Sequence, residues 1–211
     1  MKGDPLGTHC RALVACRMCA HPAGVTPIVS AAVRPKVMIV GQAPGQVEAA
    51  GGKPFAGRAG KTLFRWLDRA GIDEATARNR IYIAAVTRCY PGPSPSGRGD
   101  RVPSLREQDT CAVWLESELR IIRPKLLIPV GKLAMERFLP RLPLVELIGG
   151  AFEVDHAGGT SLAVPLPHPS GASSWVHQGD HPELLARALD RLKSEFKTLG
   201  LIGSSKARSV A

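Results

Sequence analysis

Four cysteines in this chain have the side-chain type and spacing to hold a metal ion or an iron–sulfur cluster. They are Cys16, Cys19, Cys89 and Cys111. The first two form a C-x-x-C chelate, the third ends an apolar run and the fourth lies near the start of a predicted helix. Distant cysteine pairs in a cytosolic chain more often ligate metal than form disulfides. Residue chemistry alone leaves zinc and a [4Fe–4S] cluster both open.

A fifth cysteine, Cys10, is left over if four thiolates are ligands. Cys10 and Cys16 are also close enough in sequence to bind together. The tighter C-x-x-C chelate favours Cys16 and Cys19.

Two short motifs could carry the chemistry of a binding site. They are Gly41-Gln-Ala-Pro-Gly45 and His168-Pro-Ser170, and each follows an apolar run. A glycine allows the backbone to approach a ligand closely. A histidine at a strand end can donate a hydrogen bond to an oxygen that gains negative charge during a reaction.

These residues need a scaffold, and apolar periodicity predicts one. Buried strands are expected over 37–40, 81–86, 126–130 and 161–166. Helices are expected over 61–70, 104–122, 132–139 and 182–197, and loops over 1–35, 41–60 and 90–104. This alternation predicts a three-layer α/β/α fold with a central four-stranded parallel sheet. Ligands bind beyond the carboxyl ends of such strands, where both motifs and Cys89 fall.

Composition indicates a basic protein and argues against a membrane protein. The 211 residues carry 28 Lys and Arg against 18 Asp and Glu, a net charge of +10 that favours a polyanionic partner. No apolar run is long enough for a membrane span, and the first 30 residues lack a secretory core, so we expect a cytoplasmic protein. We expect one domain over residues 1–199 and a disordered tail over 200–211. Loop arginines suited to phosphate contacts are Arg58, Arg88, Arg98, Arg101 and Arg106.

In order and context, the two motifs and the four cysteines resemble the family 4 uracil-DNA glycosylases over about residues 14–197. Glu48 and the Gly-rich loop 52–60 belong to the same pattern. The resemblance implies an enzyme that flips a damaged or deaminated base out of DNA and hydrolyses its N-glycosidic bond, leaving an abasic site. It also implies a structural [4Fe–4S] cluster on the four cysteines. We expect DNA as the partner and a monomeric protein.

The resemblance implies a role for each site residue. His168 would stabilise the leaving base as an anion, and Glu48 would assist the attacking water or the sugar cation. Phe55 would stack on the flipped base, which is worth about 1–3 kcal/mol. The remaining substrate-binding positions are Gly41, Gln42, Ala43, Ala85 and Ser170.

Three positions depart from the family pattern. Family 4 usually has an acidic residue at the position of Gln42, and family 1 has an aspartate at that of Ala43. Family 4 usually has an asparagine at the position of Ala85, which reads the uracil edge. The chain therefore predicts a pocket that discriminates less between bases. A non-catalytic, base-flipping nucleic-acid-binding protein with a cluster remains the alternative. Trp175 could either wedge into DNA or pack on the last helix.

Overall fold

The computed structural model describes residues 4–19, 25–31, 33, 35–96, 99–170 and 175–203. Five strands form its central sheet: β1 (Val37–Gly41), β2 (Ile81–Ala85), β3 (Leu126–Pro129), β4 (Phe152–His156) and β5 (Gly159–Ala163). Their order across the sheet is β2-β1-β3-β5-β4. The first four strands in this order run parallel to one another, and β4 pairs antiparallel with β5 at the edge. The α/β class is confirmed.

The predicted four-stranded parallel sheet is wrong, because the described sheet has five strands and is mixed. The additional strand, β4, has the sequence Phe-Glu-Val-Asp-His, and Val154 is its one buried residue. Such an alternating edge strand has one face toward solvent and gives no apolar run. The strand expected over 161–166 begins earlier, as β5. Leu166 still pairs with Val130, so the chain continues along the sheet toward His168.

Eight helices and one 3-10 turn surround the sheet in the described residues. They are α1 (Pro5–Val14), α2 (Gln46–Gly51), α3 (Arg58–Arg69), α4 (Glu74–Arg80), α5 (Leu105–Ile122), α6 (Lys132–Met135), α7 (Leu144–Leu147) and α8 (His181–Thr198), with the turn at Trp175–His177. The predicted capping box of α5 is present, since Ser104 and Glu107 each accept the other's backbone N–H.

Two helices lie in segments that were expected to be loops. Helix α1 starts at Pro5, and the side chain of Asp4 accepts the backbone N–H of Gly7. An aspartate followed by proline is a normal helix start, so the signal was present in the sequence. Helix α2 is a short helix within the motif loop. Helix α6 ends at Met135, earlier than the predicted Leu139.

The core lies on both sides of the parallel strands. Strand β1 is buried along its whole length, and α3 packs Leu63, Phe64 and Leu67 against the sheet. Helix α8 contributes its apolar stripe to the same core. Each fully buried side chain of this size contributes about 1.5–3 kcal/mol. This packing fixes the carboxyl ends of β1 and β2, on which the site depends. None of the helices in the described residues has the length and apolar character of a membrane span.

Candidate functional site

A cavity of about 350 Å³ opens at the carboxyl edge of the sheet. Every catalytic and substrate-binding residue predicted from the sequence lines this cavity. They are Gly41, Gln42, Ala43, Glu48, Phe55, Ala85, His168 and Ser170. The parallel register sets Gly41 of β1 beside Ala85 of β2, and the N–H of Val86 donates to the Gly41 carbonyl at 2.9 Å. The topology of the strand ends therefore assembles the site.

His168 is held in one tautomer by the residue that follows its proline. The backbone N–H of Ser170 donates to Nδ1 of His168 at 3.2 Å, and the Ser170 hydroxyl lies 2.9 Å from the same nitrogen. Because Nδ1 accepts a hydrogen bond, the ring proton of the neutral form is on Nε2. Burial lowers the pKa of His168, so the ring is neutral at physiological pH. His168 can thus offer an Nε2–H donor to a ligand.

Glu48 shapes the motif loop. Its Oε2 accepts the backbone N–H of Gly45 at 3.1 Å, and its Oε1 accepts that of Gly57 at 2.8 Å. The residue is 8 % exposed. The first bond caps α2, and the second joins it to the residue before α3. One carboxylate therefore holds both ends of the loop that carries Phe55.

Phe55 has a left-handed backbone conformation, with φ of 50°. That conformation is strained for a bulky residue and requires support from its surroundings. Arg78 on α4 supplies part of it by donating to the carbonyl oxygens of Pro54 at 2.8 Å and Phe55 at 3.0 Å. Gly60 leaves the room that this turn needs, since a Cβ there would collide with the Phe55 carbonyl oxygen.

The Phe55 ring lies over the strand end. A methyl group placed on Gly41 would be 3.0 Å from Cζ of Phe55. The ring also packs against the hydrophobic core while it lines the cavity. Phe55 therefore presents an anchored aromatic surface to a ligand in the cavity.

A second cavity, of about 150 Å³, is lined by all four predicted ligand cysteines. Cys16 and Cys19 follow α1, Cys89 lies just after β2, and Cys111 is in α5. Burial, together with the nearby thiols of Cys111, Cys19 and Cys16, raises the pKa of the Cys89 thiol to about 12. The four thiols are thus close enough to interact electrostatically.

Within the described part of the chain, no group of three or more Cys, His, Asp or Glu residues is arranged to hold a metal ion. A zinc ion would need its four thiolates about 2.3 Å from one point. All four cysteines nevertheless line one cavity of about 150 Å³, together with other residues. Four thiolates are a donor set that suits either zinc or an iron–sulfur cluster.

Arg88 lines both cavities and is 2 % exposed. Its guanidinium pairs with Glu118, which is completely buried and also accepts a hydrogen bond from the Tyr82 hydroxyl at 2.7 Å. A buried pair of this kind is costly to break, because removing one partner leaves the other charge unpaired. The expectation that Arg88 contacts phosphate from a loop is not supported by this position.

The other arginines expected to contact phosphate also have defined places. Arg101 makes a bidentate pair with Glu107 at 2.7 and 2.6 Å, and these hydrogen bonds lower the pKa of Glu107 to about 2. Arg58 begins α3 and Arg106 lies in α5. Arg98 lies outside the described residues.

A groove beside His168 is lined by residues of α3 and of the 3-10 turn. They are Thr62, Arg65, Trp66, Arg69, His168, Pro169, Ser170, Val176 and His177. Trp175 stacks on His181 with ring centroids 4.1 Å apart and packs against the core. That geometry corresponds to the packing alternative for Trp175. The preceding residues 171–174 lie outside the described part of the chain.

Sequence reasoning did not identify three residues that the structure places in or beside the site. Arg78 acts on backbone carbonyls, so no motif marks it. Glu118 is buried in α5, although its polar neighbours in the sequence suggest a position exposed to solvent. Asp100 lines the cavity at the sheet edge from the loop over 90–104, and no motif marks it.

Comparison with known proteins agrees with this geometry. The family model described as the uracil DNA glycosylase superfamily matches residues 28–193. The chain is 31 % identical over 137 residues to a Type-4 uracil-DNA glycosylase of Thermotoga maritima, covering 64 % of this chain and 65 % of that relative. It is 27 % identical over 203 residues to a Type-4 uracil-DNA glycosylase of Archaeoglobus fulgidus, covering 93 % and 92 %.

The chain is also 30 % identical over 149 residues to a Type-5 uracil-DNA glycosylase of Pyrobaculum aerophilum, with 64 % of this chain and 61 % of the relative covered. The matched segment includes both motifs and the cavity they line. Since the family model covers more than half of the sequence, this chain belongs to the uracil-DNA glycosylase superfamily.

Proposed function

We propose that the protein is a monofunctional DNA glycosylase that flips out uracil or a related deaminated or modified base and hydrolyses its N-glycosidic bond. The observation that carries this proposal is the fixed Nε2–H donor of His168, which lines a cavity beside the aromatic ring of Phe55. An abasic site in DNA would be the product. The relatives' names support DNA as the substrate class.

Breaking the glycosidic bond moves negative charge onto the base and leaves positive charge on the sugar. The neutral His168 would donate its Nε2–H to the base carbonyl that gains this charge. Removing one preorganised donor of this kind typically costs about 10²–10³-fold in rate. Phe55 would stack on the base and hold its carbonyl toward His168. No lysine is needed for this scheme, because water is the attacking group.

Base selection is proposed to be broad. The edge of the cavity beside β2 is formed by Ala85, whose methyl group can neither donate nor accept a hydrogen bond. A pocket that lacks a hydrogen-bonding side chain at this position rejects the wrong base less strongly. Uracil and other deaminated bases are therefore the proposed substrates.

The four cysteines are proposed to bind a [4Fe–4S] cluster, with Cys16, Cys19, Cys89 and Cys111 as its ligands. Support comes from the shared cavity and from the chemistry of four thiolates. A bound cluster would supply a structural cross-link and no reacting atom. It would join the segment after α1 to the end of β2 and to α5, and these elements reach the base cavity through Arg88. We propose that residues 1–199 act as one domain and as a monomer.

A direct experiment separates catalysis from binding alone. Purified protein is incubated with single-stranded oligonucleotides that carry one uracil, hypoxanthine or xanthine, and abasic sites are then cleaved with alkali. We expect strand breaks at uracil. Binding without breaks on every substrate would favour the non-catalytic base-flipping alternative, to which Gln42, Ala43 and Ala85 point.

The role of His168 has its own test. His168→Ala should lower the single-turnover rate about 10²-fold or more, with little loss of DNA affinity. The matched control is His156→Ala, since His156 lies on β4 and does not line the cavity. An unchanged rate in His168→Ala would show that His168 does not act as the hydrogen-bond donor to the leaving base.

A further inference from the structure

Hydrolysis of an N-glycosidic bond needs more than a donor to the base. A water molecule must attack the anomeric carbon, and the sugar carries positive charge as the bond breaks, so a carboxylate beside the sugar accelerates the step. Gln42 and Ala43 offer no charge at the motif positions where the superfamily resemblance predicts one. Among the described residues that line the cavity, the carboxylates are those of Glu48 and Asp100.

Both carboxylate oxygens of Glu48 already hold the motif loop. Each of its oxygens accepts a backbone N–H, from Gly45 at 3.1 Å and from Gly57 at 2.8 Å, and only 8 % of the residue is exposed. Moving this carboxylate toward a substrate would break the cap of α2 and release the loop before α3. Its geometry suits a positioning role better than contact with water.

Asp100 reaches the cavity from the connection between β2 and α5. The N–H of Ser94 donates to the carbonyl of Gly99 at 2.9 Å, and the N–H of Arg101 donates to that of Gly92 at 3.0 Å. Asp100 itself forms an antiparallel bridge with Pro93. The base of this hairpin is fixed, although residues 97–98 at its tip lie outside the described chain. The bidentate pair of Arg101 with Glu107 anchors the hairpin to α5.

The two carboxylates flank one residue of the motif loop. A Cβ built on Gly45 would lie 2.8 Å from Oδ2 of Asp100 and 2.8 Å from Oε2 of Glu48. The absence of a side chain at Gly45 therefore makes room for the Asp100 carboxylate at the motif loop. Asp100 is exposed and open to solvent water, in contrast to Glu48.

We propose that Asp100 is the catalytic carboxylate of the glycosylase reaction, an inference that depends on the function proposed above. Its carboxylate orients the attacking water and stabilises the positive sugar. As the bond between the anomeric carbon and the base nitrogen breaks, both electrons leave with the base, whose carbonyl is hydrogen-bonded by His168. The water oxygen bonds to the anomeric carbon and passes one proton to Asp100. The carboxylate returns that proton to solvent, and the released base takes up a proton from solvent.

The test compares rate with affinity in Asp100→Asn, which keeps the shape of the side chain and removes its charge. We expect the single-turnover rate on uracil-containing single strands to fall about 10²-fold. Affinity for the same strand with a deoxypseudouridine, a C-glycoside that cannot be hydrolysed, should be unchanged or tighter. Asp100→Glu should recover part of the rate. Asp109→Asn, an exposed aspartate of α5, is the matched control and should cleave like the wild-type protein.

Each outcome has one meaning. A wild-type rate in Asp100→Asn, with His168→Ala still impaired, would overturn the role of Asp100 and leave the glycosylase function standing. An equal loss of rate and of C-glycoside affinity, or a lowered melting temperature, would make Asp100 a structural residue and also overturn the proposal. Absence of cleavage by the wild-type protein on the whole base panel would instead overturn the proposed function itself.

Discussion

The guanidinium group of Arg78 donates a hydrogen bond to the backbone carbonyl of Phe55 at 3.0 Å. Phe55 is one of two described residues other than glycine with a positive φ. Arg78 is itself held by Glu74 at 2.8 Å and lies over the ring of Phe64, 4.4 Å from its centroid. The strained aromatic residue that lines the cavity is thus held in place by α4.

This relationship predicts the effect of Arg78→Lys. A lysine retains the charge but cannot reach two carbonyl oxygens with a planar fork, so the Pro54–Phe55 turn should loosen. Hydrogen bonds to a charged group contribute about 1.5–3 kcal/mol each, and we expect the melting temperature to fall by several degrees. The cleavage rate should fall about tenfold because Phe55 is less often in place. Arg80→Lys, at the exposed end of the same helix, is the control. Equal effects in both variants would show that the Arg78 hydrogen bonds do not hold Phe55 in place.

The lowered pKa of His168 predicts a pH dependence of stability. The ordinary histidine value is 6.5, and burial lowers the pKa of His168 in the folded protein. The unfolded chain therefore binds more protons near and below that value. Stability from this residue is present above about pH 6.5 and is lost as the pH falls toward the folded-state value.

Melting temperatures at pH 7.5 and 5.5 test this sign for His168. The decrease between the two should be larger in the wild-type protein than in His168→Asn. Burial also lowers the pKa of His156, so His156→Asn should remove a separate part of the same decrease. Identical decreases in the wild-type protein and in His168→Asn would show that burial does not lower the pKa of His168.

The sequence was most informative where chain topology alone brings residues together. Strand-like runs end at Gly41 and before His168, and the carboxyl ends of parallel strands meet at one sheet edge. The clustering of the site residues at this edge of the sheet could therefore be predicted. The positions of Asp100 and Arg78 could not be predicted. Asp100 lies on a hairpin, and Arg78 binds the strained backbone at Phe55, and neither feature leaves a pattern in side-chain type. Strand β4 was missed because an edge strand with one buried side chain has little apolar signal.

Base preference should respond to Ala85→Asn. An asparagine at the end of β2 would face the cavity with an amide that can both donate to and accept from the edge of uracil. We expect the preference for uracil over hypoxanthine and xanthine to rise about tenfold, the effect of about 1.4 kcal/mol in one selective interaction. The measurement is the ratio of single-turnover rates on the three substrates.

Ala85→Leu is the control for the added size of the asparagine. It fills a similar volume without an amide, so it should lower all rates and leave their ratios unchanged. Unchanged ratios in Ala85→Asn as well would mean that the base edge does not face Ala85.

The cysteine assignment predicts a contrast between Cys111→Ser and Cys10→Ser. Cys111 lines the small cavity, whereas Cys10 lies on α1 with its Sγ 3.7 Å from the hydroxyl of Tyr82. Loss of a ligand should remove the broad absorbance near about 400 nm that a sulfur-ligated iron cluster gives. Cys10→Ser should retain both this band and the iron content. Stoichiometric zinc without the band would contradict the cluster, and loss of the band in Cys10→Ser would favour Cys10 as a ligand.

A basic stripe on α3 predicts how DNA lies beside the cavity. Its members are exposed and occupy one helix face: Arg58, Lys61, Arg65 and Arg69. Arg65 and Arg69 line the groove that leads to His168 and Ser170, so they can contact the phosphates that flank a flipped base. Replacing both with glutamine should weaken binding to single-stranded DNA and reduce the slope of log affinity against log salt by about 1.4, with the rate at saturation preserved. Arg120→Gln, on the exposed surface of α5, should leave the slope unchanged. An unaltered slope in the double variant would place the DNA backbone elsewhere.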